Sequence, residues 1–281
     1  MLTRALSDLS AWTRQLRDAA IPVLAGTAEE LALLREAEER TGNVDAHMLA
    51  EAIEGDPLMT LRVLSYRATH RPSALITDTE TVTAVIVHMG IGPFFRAFEQ
   101  LTTIDEHLAA QPEALEGLRA VIRRADRASR FALAFAVHRM DNDAEVIREA
   151  TLLHDFAEML LWCHAPALAL EIAARQAADP ALRSSEAQRA VLNVSLSELE
   201  QALMRAWRLP DQLIRITDDD LRSRGARHPQ VSMVRLAVQL ARHTRQGWEN
   251  PALPDDVHDI AELLNLSPEA TLRKLQDIDR E

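Results

Sequence analysis

Apolar residues recur every three or four positions along almost the whole chain, the spacing that lines one face of an α-helix. Leu2, Leu6, Leu9 and Leu16 make one such stripe, and Leu58, Leu61 and Leu64 make another. Gly-Asp-Pro introduces the second stripe, so Asp56 can cap that helix and Pro57 can fill its first position. Residues 127–137, RASRFALAFAV, belong to a long helix in the middle of the chain. Ser195 and Glu198 have the spacing of a capping box ahead of LEQALMRAW, and Pro210 ends that helix. Ser267-Pro268 opens the last one. No stretch alternates with period two for long enough to predict a sheet. Breaks at 71–79, around Pro112, at 177–180, at 223–229 and at 250–256 are short enough to be connections between helices.

Composition points the same way. Only 4% of the 281 residues are aromatic and eight are glycine, while the good helix formers Ala, Leu, Glu and Arg dominate. An all-α protein is therefore expected, and at 47% hydrophobic it has enough apolar side chains for a sizeable core. The formal charge of −12 repels phosphate backbones and anionic lipid, which argues against a nucleic-acid or membrane partner. Cys163 is the single cysteine, so no intramolecular disulfide forms and a reducing cytosol suits the chain. Asp8 interrupts what would have to be the apolar stretch of a signal peptide, and no later segment approaches a membrane span. The expected location is cytoplasmic.

Five segments in order resemble the HDOD domain, a regulatory offshoot of the HD phosphohydrolases in bacteria. They are IPVL at 21–24, GDPLMTLRVL at 55–64, TAVIVHMGIGPFFRAF at 83–98, EATLLHDFAEMLLW at 149–162 and LSELEQALMRAWRLPDQLIRI at 196–216. Met89-Gly90 stands at the family's Leu-Gly. The chain departs from the family at Tyr66-Arg67, where Asn-Ser is common, and at Phe156-Ala157-Glu158, where Ile-Gly follows His-Asp. It also reads TDDD at 217–220, where the family often has a His-His pair. The resemblance implies a two-lobed helical fold. Its expected parts are an N-terminal helix (1–20), an HDOD-like domain (21–224, in lobes 21–111 and 112–224) and a helical extension (225–281).

His154-Asp155 carries the chemical question. In the HD superfamily that pair begins a metal site, completed in active relatives by a histidine on the preceding long helix and an aspartate on a later one. The family's interval leads back to Ala125-Asp126, where there is no histidine, and His138 falls too close to His154. The later aspartate has three candidates, Asp218, Asp219 and Asp220, and Glu158 is a further donor one turn on. A catalytic site needs three or more protein ligands and an open position. Only His154 and Asp155 can be named, so the expectation is no bound metal, no cofactor and a structural role for the pair.

Arg123, Arg127 and Arg130 fall at i, i+4 and i+7 on one helix face. If that face looks toward His154-Asp155, an arginine replaces the positive charge of a metal or receives a phosphate-bearing small ligand. The competing reading is a solvated stripe paired with Asp126 and other acids. Residues 260–275 have the outline of a helix-turn-helix, but residues 251–281 hold eight acids against three Lys and Arg, which opposes docking on DNA. Cys163 beside His164 lacks the partners of a nucleophile or a metal site and reads as core. Trp12, Trp162, Trp207 and Trp248 read as core or edge packing. The function the resemblance implies is non-catalytic signal transduction through a protein partner or a small ligand. The alternative is a metal-dependent phosphohydrolase of a nucleotide or cyclic dinucleotide, and a DNA-binding regulator is a third reading.

Overall fold

The structure is a computed structural model and describes residues 1–69, 81–179, 181–218 and 228–280. In chain order the helices are α1 (Leu9–Arg17), α2 (Ala25–Thr41), α3 (Ala46–Ile53), α4 (Pro57–Thr69), α5 (Val82–Met89) and α6 (Ile91–Ala97). Then come α7 (Ile104–His107), α8 (Pro112–His138), α9 (Ala144–Leu153), α10 (Phe156–His164), α11 (Pro166–Ala178) and α12 (Ser184–Leu192). The series ends with α13 (Leu196–Trp207), α14 (Asp211–Ile216), α15 (Pro229–His243), α16 (Leu253–Leu264) and α17 (Pro268–Ile278). The protein is all-α, as its periodicity predicts: among the described residues the one β-type pairing is an isolated parallel bridge, Val23 to Thr103.

The chain groups into two units, and neither is a continuous stretch. The first holds Met1–Ile122 and Asp155–Pro210, the second Arg123–His154 and Asp211–Glu281. In the first, α10 packs on α4, α11 and α13, while α1 lies along α13. Trp12, Leu58, Phe94, Phe156 and Leu199 are fully buried there, each contributing about 2 kcal/mol through burial. Two indoles tie α1 down: Trp12 Nε1 donates to the Leu192 carbonyl and Trp207 Nε1 to that of Arg17.

The IPVL segment shows why its residues stand where they do. The Leu24 amide donates to Asp56 Oδ2 at 2.7 Å, and Arg62 Nη1 donates to the Ile21 carbonyl. Val23 takes its place in the bridge by accepting from the Ile104 amide and donating to the Thr102 carbonyl. Asp56 also caps α4 by accepting from the amides of Leu58 and Met59, as Gly-Asp-Pro predicts. It is 1% exposed, and burial pushes its carboxyl up although these donors and Thr27 pull the other way.

Two glycines are required by geometry. Gly90 has φ +81°, a conformation costly for any other residue, and joins α5 to α6 without a linker. Gly117 on α8 receives the Trp162 indole, and a Cβ there would lie 2.5 Å from the ring.

In the second unit, α15 packs on α9, α14 and α16, and α16 packs on α17. Phe131, Phe135, Ile147, Leu240 and Ile260 are buried there. The end of α8 closes the end of α16, because His138 Nε2 meets the Leu264 carbonyl at 3.1 Å and Arg139 Nη1 donates to that of Leu263. Gln212 and Gln230 both donate to Asp143, fixing α14 and α15 to the turn before α9. The Ser195–Glu198 capping box is realised in both directions, and Ser267 caps α17.

Candidate functional site

The ATLLHDFAEML run, with its uninterrupted helical spacing, folds as two helices. α9 ends at Leu153 and α10 begins at Phe156, leaving His154 as the cap of one and Asp155 as the cap of the next. Asp155 has φ −110° and ψ +19°, which breaks the helix, and its carboxylate makes no capping bond. Its backbone carbonyl instead accepts from the amides of Glu158 and Met159. His154 and Asp155 are buried, at 7% and 9% exposure, and neither is without a partner inside the chain. Here too the chain passes from the second unit to the first.

The remaining donors do not make a metal centre. Among the described residues no three His, Cys, Asp or Glu side chains are grouped so as to hold an ion. His138 is exposed, with its Nε2 at the Leu264 carbonyl. Asp126, close to where the family's interval leads, stands beside Arg130 and feels the charge of Arg148 as well. Burial pushes its carboxyl up, against the opposing charges of Arg130 and Arg148. Asp218 is half-buried, and Asp219 and Asp220 lie outside the described residues. The described residues therefore do not supply the three ligands that an HD-type ion needs.

Sequence spacing treats the three arginines of α8 as one surface, but the structure gives each a different environment. Arg123 is exposed. Arg127 donates through Nη2 to Asp279 Oδ2 at 2.7 Å, through Nε to Oδ1, and through Nη1 to the Thr244 carbonyl at 3.1 Å. Its guanidinium lies 5.5 Å from the Phe131 ring centroid and 6.0 Å from that of Trp248. Arg130 stands beside Asp126, with Nε 3.6 Å from Oδ2, too far for a hydrogen bond.

Two further groups escape the sequence reading, and a third is weighed there only as a neighbour of Cys163. Arg148 and Glu149 are buried on α9, with Arg148 bonded to Glu145 at 2.6 Å. Their signal was two adjacent charges inside an otherwise apolar run. His164 is the third: its ring lies edge-on to that of His107, with centroids 5.3 Å apart. Burial, reinforced by the charge of His107, holds its pKa down at about 4. Cys163 is the core residue its surroundings imply, and burial pushes its thiol up to about 12, out of the range of a nucleophile.

Against known proteins, the sequence profile of the HDOD domain matches residues 21–220. The chain belongs to the HDOD domain family. The HDOD fold is shared by solved structures at low identity. The MmoQ response regulator of Methylococcus capsulatus strain Bath superimposes with a TM-score of 0.70 at 20% identity, over 92% of this chain and 99% of that one. A virulence factor of Campylobacter jejuni subsp. jejuni gives 0.65 at 17% identity, over 94% and 92%. An HDOD domain protein of unknown function from Geobacter sulfurreducens gives 0.51 at 15%, over 96% and 93%. Such identities establish the fold alone. No protein with a curated description matches the sequence. Among the described residues no single helix is long and apolar enough to cross a membrane.

Proposed function

We propose that this HDOD protein is a cytoplasmic, non-catalytic regulator in bacterial signal transduction, working by binding a protein partner or a phosphate-bearing small ligand. One observation carries the reading. His154 and Asp155 keep the superfamily's pair, but no third donor joins them among the described residues, and Asp126 is engaged by arginines. A divalent ion on two side chains would bind weakly and leave its water poorly placed for attack. The pair is read as a buried structural element at the α9–α10 break. The acidic α16–α17 pair is read as a packing hairpin, without affinity for duplex DNA.

The test combines elemental analysis with turnover assays on nucleotides, cyclic dinucleotides and a generic phosphodiester, with Mg²⁺, Mn²⁺ and Fe²⁺ supplied. The expected outcome is substoichiometric metal, no turnover, and a lower melting temperature for Asp155→Ala. Stoichiometric metal together with turnover abolished in Asp155→Ala would replace the regulator by a phosphohydrolase.

A further inference from the structure

Arg127 is positioned by more than its carboxylate. Phe131 and Trp248 lie within cation–π reach of the guanidinium, and Nη1 is fixed on the Thr244 carbonyl, leaving Nε and Nη2 as a two-pronged donor. Trp248 Nε1 adds a third donor, at 3.0 Å from Asp279 Oδ2. Together the three N–H groups form a receptor for a small oxyanion, and at present it holds the side chain of Asp279.

Asp279 is poorly placed on its own helix. It is the C-cap of α17, whose last turn carries no basic residue, so the helix dipole opposes a carboxylate there. The receptor also has spare capacity. The charge of Arg130 reaches Asp279, yet Arg130 Nε is buried without a hydrogen-bond acceptor among the described residues, Asp126 being its nearby counter-charge. Arg127 and Arg130 thus stand against Asp279 and Asp126, and the Nε donor of Arg130 is unfilled. Arg127 and Asp279 each keep 18% side-chain exposure, which leaves the pair open to an anion from solvent.

We propose that Arg127 and Trp248, supported by Arg130, form a binding site for the phosphoryl group of a small ligand, with Asp279 as its built-in competitor. A phosphate monoester dianion offers more charge and more acceptor oxygens than Asp279, and the positive charge of Arg130 favours it further. Its binding removes the anchor at the end of α17, so occupancy is coupled to the ordering of that helix. The inference rests on the small-ligand arm of the proposed function.

The experiment titrates the full chain with inorganic phosphate at constant ionic strength. Asp279→Asn should bind phosphate at least ten-fold more tightly than the wild type, and Arg127→Gln in that background should abolish the gain. Asp277→Asn removes the same charge from an exposed neighbour and should give no gain. In the wild type, phosphate should speed amide exchange in α17, and Arg127→Gln should remove that response, a readout that stands even if Asp279→Asn folds poorly. Equal phosphate affinity in Asp279→Asn and wild type, a gain that survives Arg127→Gln, or α17 exchange indifferent to phosphate would each overturn the site. Such a result leaves the regulatory reading and its protein-partner arm intact, since those stand or fall on metal and turnover.

Discussion

Asp56 in the first unit and Asp279 in the second are both aspartates held by several donors, and their environments shift them in opposite directions. Asp56 is met by the backbone amides of Leu24, Leu58 and Met59 and by Thr27, and burial wins, so its carboxyl is pushed up. At Asp279 burial also pushes up, but the hydrogen bond and charge of Arg127, with the Trp248 N–H, hold the carboxyl below its usual range. Dipoles alone secure a carboxylate as a structural joint, whereas a facing cation keeps it ionised and makes it exchangeable for another anion. The first arrangement belongs to folding and the second is suited to regulation.

The sharpest break of this contrast is Asp56→Ala. It leaves the amides of Leu24, Leu58 and Met59 without their acceptor in a buried place. The expected loss is about 4 kcal/mol in chemical unfolding, seen first in amide exchange of α4. Acid provides the next test. His164 has a folded pKa of about 4 against an ordinary 6.5, so the unfolded chain takes up the proton first. Stability should fall as pH drops from 6.5 to about 4 and then level off, a loss of about 3 kcal/mol that His164→Gln removes. Asp279 differs: its stabilisation is complete above the ordinary carboxylate pKa and is lost only as pH falls through its lowered value.

Arg127→Met should cost about 2 kcal/mol and loosen α17 while leaving α4 exchange unchanged. Loosening of both would erase the distinction between the two regions. Arg123→Gln, on the same helix face but exposed, should change unfolding by less than about 0.5 kcal/mol. A larger effect would restore the three arginines to a single surface.

Signals confined to a few neighbouring residues were legible in the sequence. Asp56-Pro57, the Ser195–Glu198 box and Ser267-Pro268 each start the helix they announce, because a cap bonds to an amide two or three residues on. The family resemblance was legible because its motifs keep their order. Partnerships across the chain were not. Arg127 meets Asp279 across 152 positions, and nothing near either residue marks the other. Gly117 reads as an ordinary weakness in a helix until Trp162 is seen lying on it. The break at His154-Asp155 was hidden as well, since the apolar spacing runs through it undisturbed while the backbone turns.

The interleaving of the two units bears on how the chain is made. As the ribosome delivers residues in order, Met1–Ile122 must wait for Asp155–Pro210, and Arg123–His154 must wait for the last seventy or so. The profile match stops at residue 220, yet α15, which packs on α9, starts beyond it. A fragment cut at the family boundary would therefore expose the apolar face of α9 that α15 covers. Such a truncation is expected to aggregate in expression trials, whereas a fragment extended through α17 keeps α15 and the α16–α17 pair packed behind it.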